Sequence, residues 1–132
     1  MDSVATAAAL ARYRKAAAAR PLDELPLEYV ALTLGQMGRL PESEHAYTSV
    51  LRLAPRYAAA YFNLGNAQRQ QAHGIERAKS SYEAALGLAP RWAAVYINLG
   101  VSAGDDMEEA LRAYTSALLL QAAGHAHTLR TL

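Results

Sequence analysis

Apolar and small residues recur through most of the chain at the 3.6-residue spacing of an α-helix. The clearest case is the set Tyr61, Leu64, Gly65 and Gln68, which share one helical face. Breaks in the pattern, such as the His-Gly pair at 73–74, separate the periodic stretches. The spacing predicts helices over residues 3–19, 26–37, 41–53, 58–71, 75–88, 92–103 and 106–120. The sequence therefore predicts an all-α fold.

Two segments of the chain match each other at an offset of 35 residues, since residues 54–65 read APRYAAAYFNLG and residues 89–100 read APRWAAVYINLG. A second set of matches makes Tyr47, Tyr82 and Tyr114 one position that occurs three times. A fixed period of this length indicates a fold assembled from copies of one supersecondary unit. Because each copy contains two periodic stretches, the sequence predicts three helical hairpins.

Proline and glycine mark the joints of these hairpins. Pro55 and Pro90 cannot continue a preceding helix, so they separate one copy from the next. Gly65 and Gly100 leave no side chain where the two helices of a hairpin cross, which predicts a close approach there. The predicted organisation is an N-terminal helix and linker at 1–22, hairpins at about 23–57, 58–92 and 93–121, and a C-terminal tail at 122–132.

The order of these residues resembles the tetratricopeptide repeat family. The second copy carries the resemblance best, with Tyr61, Leu64, Gly65, Ala78, Tyr82, Ala85 and Pro90 at the signature positions. In the third copy Gly100 and Ala110 are closer in sequence than Gly65 and Ala78 are in the second, which predicts a shorter first helix or turn. The first copy matches the pattern only in part. The resemblance implies a right-handed superhelix, an α-α solenoid, of three hairpins with an extra N-terminal helix.

The resemblance also implies a concave groove lined by the first helix of each hairpin. The groove-facing residues that it implies are Glu28, Tyr29, Leu32 and Gln36 in the first copy, Phe62, Asn63, Asn66, Arg69 and Gln70 in the second, and Ile97, Asn98 and Val101 in the third. Asn63 and Asn98 are one repeat apart, and an amide can bind the backbone of an extended peptide without selecting a side chain. Alternatively, each asparagine bonds a neighbouring helix. Phe62 and Ile97 form apolar pockets beside the amides or, alternatively, pack within the scaffold.

The function implied by the resemblance is a protein–protein interaction module, an adaptor or scaffold that holds a peptide or a partner helix in the groove. One alternative is a structural subunit or fragment of a larger assembly, which binds through its ends and convex face. Another is the non-catalytic repeat region of an enzyme such as a glycosyltransferase, because Asn63 and Asn98 look like the asparagine ladder of such a region. Some proteins of this family bind the acidic tails of chaperones with a clamp of Lys, Arg and Asn side chains. Such tails are not expected as ligands here, since Ala59 and Ala94 stand where the clamp would need cations.

Composition narrows the chemistry. The 132 residues are 52% hydrophobic, carry a net charge of +1 and include no cysteine. The net charge is small, and Arg69 is the cation that the resemblance places in the groove. Because a polyanion needs several cations to bind, neither nucleic acid nor a membrane surface is expected as a partner. No catalytic residue, metal site or cofactor is predicted, because the histidines fall in no metal or nucleophile signature and thiol chemistry is absent. A cytoplasmic location is expected, with an Ala- and Arg-rich transit peptide at the N-terminus as the alternative.

The two ends of the predicted stack differ. Leu10, Tyr13 and Ala17 share one side of the leading helix, which can cover one end, lie in the groove or reach another subunit. After Leu120 the sequence shows no clear polar capping helix, and Gly124 interrupts the short remainder. An apolar end left open predicts self-association or a permanent partner.

Overall fold

The computed structural model describes residues 3–131, apart from the side chains of residues 127–129 and 131. Its helices are α1 (Ser3–Ala19), α2 (Glu24–Gln36), α3 (Leu40–Leu53), α4 (Ala58–Arg69), α5 (Ile75–Leu88), α6 (Ala93–Ser102) and α7 (Met107–Thr131). No strand occurs among the described residues, so the predicted all-α fold is confirmed.

Two of the helix starts are fixed by aspartate side chains. Asp23 accepts a hydrogen bond from the Leu25 backbone amide at 3.0 Å and caps α2. Asp106 accepts one from the Glu109 amide, also at 3.0 Å, at the start of α7. Each carboxylate satisfies an amide that the first turn of a helix leaves without a partner.

Consecutive helices pack side by side as hairpins, α2 with α3, α4 with α5, and α6 with α7. The first helices of neighbouring hairpins also touch, α2 against α4 and α4 against α6. The second helices α3, α5 and α7 meet through long side chains, as Arg77 of α5 does with Glu44 of α3 and Lys79 of α5 does with Glu109 of α7. The first helices are therefore crowded on the inner side of the stack, and the second helices spread on the outer side.

Two clusters of buried side chains hold the hairpins together. The first joins α1, α2 and α3, and includes Leu64 from the following hairpin. The second is built on Tyr82 and its neighbours in α5, and includes Val95 from α6. Each hairpin thus completes the core of the one before it, as stacked repeats do.

The leading helix α1 covers the free side of α2. Its Leu10 is buried in the first cluster, and its Tyr13 stacks on Tyr29 with the ring centroids 5.1 Å apart. The helix has the predicted bounds, residues 3–19. Of the three placements considered for it, the structure shows the one that covers an end of the stack.

The two helices of a hairpin approach each other closely at a glycine. A Cβ placed on Gly65 would stand 2.5 Å from Cε1 of Tyr82, and one placed on Gly100 would stand 2.5 Å from Cε1 of Tyr114. A methyl group does not fit at that distance, so each tyrosine ring occupies the space that a glycine leaves. The close approach predicted from the sequence is confirmed in both hairpins.

The third hairpin is shortened at its inner helix. α6 has 10 residues where α4 has 12. The turn that follows contains Gly104 with φ of 60°, a left-handed conformation that glycine adopts without steric cost. The spacing of Gly100 and Ala110 predicts this shortening.

The outer helix of the third hairpin, α7, is longer than the sequence predicts. α7 continues through Gly124 to Thr131, whereas the pattern predicts an end near Leu120 followed by a tail at 122–132. The predicted end is wrong because alanines surround Gly124, and their helix propensity offsets the roughly 1 kcal/mol that one glycine costs. Of the predicted tail, only Leu132 lies outside the described residues.

A carboxylate on α3 ties the first hairpin to the second. Glu44 accepts hydrogen bonds from Gln68 at 3.0 Å, from Gln71 at 2.8 Å and from Arg77 at 3.3 Å. Partial burial raises the pKa of Glu44, but these donors lower it by more, so the pKa lies below its ordinary value. The contact between the hairpins is therefore strongest while Glu44 is ionised.

We expect Gly65→Ala to destabilise the protein by about 1–3 kcal/mol, because the added methyl group must displace the buried ring of Tyr82. Gly87→Ala is the matched control. An added Cβ at Gly87 meets nothing within 4 Å, so the higher helix propensity of alanine raises stability by up to about 1 kcal/mol. Urea unfolding measures both. Equal effects of the two substitutions would contradict the close approach.

We expect Glu44→Gln to lower the free energy of unfolding by about 1–2 kcal/mol at neutral pH. The folded-state pKa of Glu44 is lowered, so its stabilisation is present above the unfolded pKa and is lost as the pH falls through the folded pKa. The difference between wild type and variant should therefore shrink as the pH falls below about 4. Urea unfolding over a pH series tests this. Glu83→Gln, at an exposed position on α5, should show no such difference, and a gap that is constant with pH would disprove the role of ionised Glu44.

Candidate peptide-binding groove

The inner side of the stack contains a cavity of about 220 Å³ between the first two hairpins. Five of the residues implied by the repeat resemblance line it together, Leu32 and Gln36 from α2, Asn63 and Asn66 from α4, and Gln70 directly after α4. The rest of its wall comes from Gly35, Leu40, Ser43, Tyr47 and Ala67. The cavity wall therefore combines apolar side chains with the amide groups of Gln36, Asn63, Asn66 and Gln70.

Asn63 is one of the polar groups of this cavity that have no hydrogen-bond partner in the described part of the protein. Its side chain is half-buried and makes no hydrogen bond to any described residue. A side-chain amide offers two N–H donors and a carbonyl acceptor, which match the carbonyl and N–H groups of a peptide backbone. Asn63 can thus hold one residue of a bound peptide through two hydrogen bonds.

Asn66 is held in place by two donors. Its Oδ1 accepts hydrogen bonds from the Tyr82 hydroxyl at 2.6 Å and from Nδ2 of Asn98 at 2.7 Å. Both lone pairs of that oxygen are then used, which fixes the orientation of the amide and leaves its NH₂ group available to the groove. Arg69 extends the network, because its Nε donates to the Tyr82 hydroxyl at 3.3 Å.

The hydroxyl of Tyr82 reaches the inner side because of Gly65. Tyr82 belongs to the outer helix α5 and is completely buried, yet its ring lies over Gly65 and its hydroxyl meets Asn66 and Arg69 on α4. A larger residue at 65 would block this path. The glycine that permits close packing of the two helices therefore also positions the polar groups of the groove.

The arrangement of asparagines differs from the pair that the repeat predicts. Asn63 and Asn98 occupy equivalent repeat positions, but Asn98 bonds Asn66 of the neighbouring helix. Of the two roles that the sequence allows for Asn98, peptide binding and a bond to a neighbouring helix, the structure shows the second. Its Oδ1 forms no bond to a described residue, so Asn98 keeps an acceptor beside the free donor group of Asn66.

Phe62 packs within the scaffold. Its ring centroid lies 4.7 Å from that of Trp92 and 6.0 Å from that of Tyr82, so it fills the joint between the second and third hairpins. Ile97 holds the equivalent position one repeat later and is exposed. Phe62 thus makes the packing contacts of the alternative, and an apolar groove pocket at Phe62 and Ile97 stays a prediction.

The first hairpin contributes less polar surface to the groove than the resemblance implies. Tyr29 has one face of its ring covered by Tyr13. Glu28 is buried and accepts a hydrogen bond from the Tyr57 hydroxyl at 2.7 Å, so it does not face the groove.

The hydrogen bond from Tyr57 to Glu28, with some burial and the charge of Glu28, raises the pKa of Tyr57 to about 12. Glu28 and Tyr57 form a link between hairpins.

Sequence reasoning misses the polar part that Tyr82 plays. The repeat pattern assigns the residue to the scaffold, and its burial agrees with that, but its hydroxyl organises Asn66 and Arg69. The signal that could have found it is the facing glycine, Gly65. A tyrosine that fills a glycine's space places its hydroxyl beyond the helix that the ring crosses.

A larger cavity, of about 540 Å³, lies between α1 and α3 above α2. Leu27, Val30 and Leu34 form its apolar floor, and an ion pair between Arg14 and Glu42 at 3.7 Å lies on its edge. Its largely apolar floor suits packing of an apolar side chain more than recognition of a peptide backbone. The sequence does not predict this cavity.

The described residues contain no group of three or more His, Cys, Asp or Glu side chains arranged to hold a metal ion. Among the helices within residues 3–131, none has the length and apolar character needed to cross a membrane.

Comparison with known proteins finds similarity in structure alone, since no protein-family model and no curated protein matches the sequence. The structure of "MamA MSR-1 C2" is similar with a TM-score of 0.80 and 22% identity, over 91% of this chain and 70% of that one. "MamA 41-end" from Desulfovibrio magneticus RS-1 gives 0.77 and 23%, over 87% and 66%. TTC0263, a thermophilic TPR protein of Thermus thermophilus, gives 0.73 and 24%, over 87% and 66%.

Identities this low establish a shared fold and leave activity open. The three hairpins, the glycine at each of the two later helix crossings and the similarity to a TPR protein agree with the resemblance seen in the sequence. The chain is thus an all-α helical-repeat protein with the tetratricopeptide repeat fold.

Proposed function

We propose that the protein is a protein–protein interaction module, an adaptor or scaffold that binds a segment of a partner in the groove formed by α2, α4 and α6. The observation that carries the proposal is the half-buried, unpaired amide of Asn63 in a partly apolar cavity, with no bond to any described residue. A polar group in such a place loses part of its hydration and gains most from a partner that supplies both a donor and an acceptor.

The chemistry of the groove favours an extended peptide over a helix. An extended segment exposes its backbone carbonyl and N–H groups, whereas a helix uses them internally. Asn63, the NH₂ group of Asn66 and the Oδ1 of Asn98 offer donors and an acceptor to such groups. Leu32 supplies an apolar contact for one side chain. The ligand that fits is therefore an extended, largely uncharged segment of another protein.

The direct test uses peptides selected from a random library against the purified protein, with affinities measured by fluorescence anisotropy. We expect Asn63→Ala to weaken binding by about tenfold, because two hydrogen bonds to the peptide backbone are lost. The fold should be unaffected, since Asn63 has no hydrogen bond to a described side chain. Circular dichroism checks that point.

The matched control is Glu83→Ala, at an exposed position on the outer helix α5. It should leave peptide affinity unchanged. If Asn63→Ala binds as well as wild type, the groove is not the peptide site. A loss of affinity in Glu83→Ala alone would move the binding surface to the outer side.

A second prediction concerns how Tyr82 positions Asn66. Tyr82→Phe keeps the ring over Gly65 but removes the hydroxyl that donates to Asn66. We expect the variant to remain folded and to lose about threefold to tenfold in peptide affinity, because the Asn66 amide is no longer held in one orientation. Tyr114→Phe is the control, since its ring covers Gly100 in the same way and its hydroxyl bonds no described residue. Equal affinities for all three proteins would refute the positioning role.

A further inference from the structure

The last helix of the stack, α7, carries an apolar stripe that no described residue covers. Met107, Leu111, Tyr114 and Leu118 follow one another at intervals of four, three and four residues, which places them on one face of the helix. All four side chains are exposed. Together these four residues form the end stripe.

The repeat shows what kind of surface this is. Tyr82 on α5 is 0% exposed, whereas its counterpart Tyr114 is 39% exposed. Leu51 and Leu86 pack against the two core clusters, whereas their counterpart Leu118 is 65% exposed. In the first two hairpins the following first helix completes these clusters. The end stripe is therefore a surface shaped for packing against a helix.

The residue at position 111 argues against a surface adapted to water. Its counterparts in the first two hairpins are Glu44 and Lys79, which are charged and reach the next hairpin. Glu44 accepts a hydrogen bond from Gln68 at 3.0 Å, and Lys79 donates one to Glu109 at 3.0 Å. In the last hairpin, where a charge would suit water best, the residue is Leu111. Terminal repeats that face solvent carry a polar outer face. The end stripe has the opposite character.

We propose that two copies of the protein associate about a two-fold axis near Leu118, with the end stripe of one α7 packed antiparallel against the C-terminal half of the other α7. The proposal concerns the end of the stack and does not depend on the groove. The second α7 then lies where the first helix of a further hairpin would lie, and it is antiparallel to its neighbour as α4 is to α3.

Charge complementarity favours a second copy in this orientation. α7 has Glu108 and Glu109 in its first turn, with Asp105 just before it, and Arg130 in its last turn. An antiparallel pair places the acidic start of each helix beside the basic end of the other, and it also opposes the two helix dipoles. A parallel pair would bring like charges together.

The length of α7 fits the same arrangement. α5 ends six residues after Tyr82, but α7 continues for 17 residues after Tyr114, and its side chains at 121–126 are exposed. In the antiparallel pair residues 121–126 extend along the partner's end stripe, opposite Leu111 and Tyr114.

Head-to-tail stacking is not favoured by the other end of the molecule. Within Ser3–Ala19, Val4 is the one large apolar side chain that is exposed, and the rest of the exposed surface is Ala, Arg, Lys and Ser. The exposed face of α1 therefore offers few large apolar side chains to the end stripe. An isologous contact also closes at two copies, whereas a head-to-tail contact continues into a filament or ring.

The test is sedimentation equilibrium of the 132-residue protein up to about 100 μM, a range that detects dimers of micromolar affinity. We expect wild type to be dimeric and Leu118→Glu to be monomeric, with a dissociation constant raised at least about 100-fold. Leu119→Glu is the matched control, because Leu119 is also 65% exposed but lies about 100° away around the helix. It should dimerise like wild type.

Cysteine cross-linking tests the two-fold arrangement. The sequence has no native cysteine, so Leu118→Cys and Leu119→Cys each introduce a single thiol. We expect Leu118→Cys to form a disulfide-linked dimer at least about tenfold faster than Leu119→Cys, because position 118 lies near position 118 of the partner only in an isologous pair. A monomeric wild type overturns the proposal and assigns the end stripe to a different partner. Equal dissociation of the two glutamate variants, equal cross-linking rates or a ladder of larger oligomers would each overturn it as well.

Discussion

The contact between Gly65 and the ring of Tyr82 determines both the packing of the second hairpin and the chemistry of its inner surface. The ring fills the space of a missing side chain, so α4 and α5 approach more closely than two ordinary helices can. It also carries the hydroxyl to the far side of α4, where it fixes Asn66 and meets Arg69. Scaffold and groove are therefore not separable at this position, since any side chain at 65 would disturb both.

Polar contacts between hairpins complement the apolar ones. The two core clusters fix how closely neighbouring hairpins stack, and directional bonds from Gln68 to Glu44 and from Tyr57 to Glu28 fix how they are rotated. Apolar contact alone tolerates sliding, whereas several hydrogen bonds of defined geometry do not. This division explains why partly buried charged residues lie at the joints of an otherwise apolar repeat.

The sequence predicts what depends on period and misses what depends on contacts between copies. The 35-residue offset, the bounds of α1 and the crossing at Gly65 all follow from local pattern. The bond from Asn98 to Asn66 joins residues 32 apart, and it depends on an inter-hairpin distance that periodicity does not contain. The packing of Phe62 between two hairpins is also missed by the sequence, because residues that face the groove and residues that lie between hairpins recur with the same period.

The predicted end of α7 is wrong for a different reason, since the pattern treats Gly124 as a break without regard to the alanines around it. That longer helix connects the two proposals. The cavity that contains Asn63 lies between the first two hairpins, whereas the end stripe lies on α7 at the end of the stack, so a pair joined through α7 leaves this part of both grooves open. Two grooves held in one particle bind a partner with two matching segments far more tightly than either groove alone, because the second binding step becomes intramolecular. Weak hydrogen bonding by a few amides is then sufficient for an adaptor.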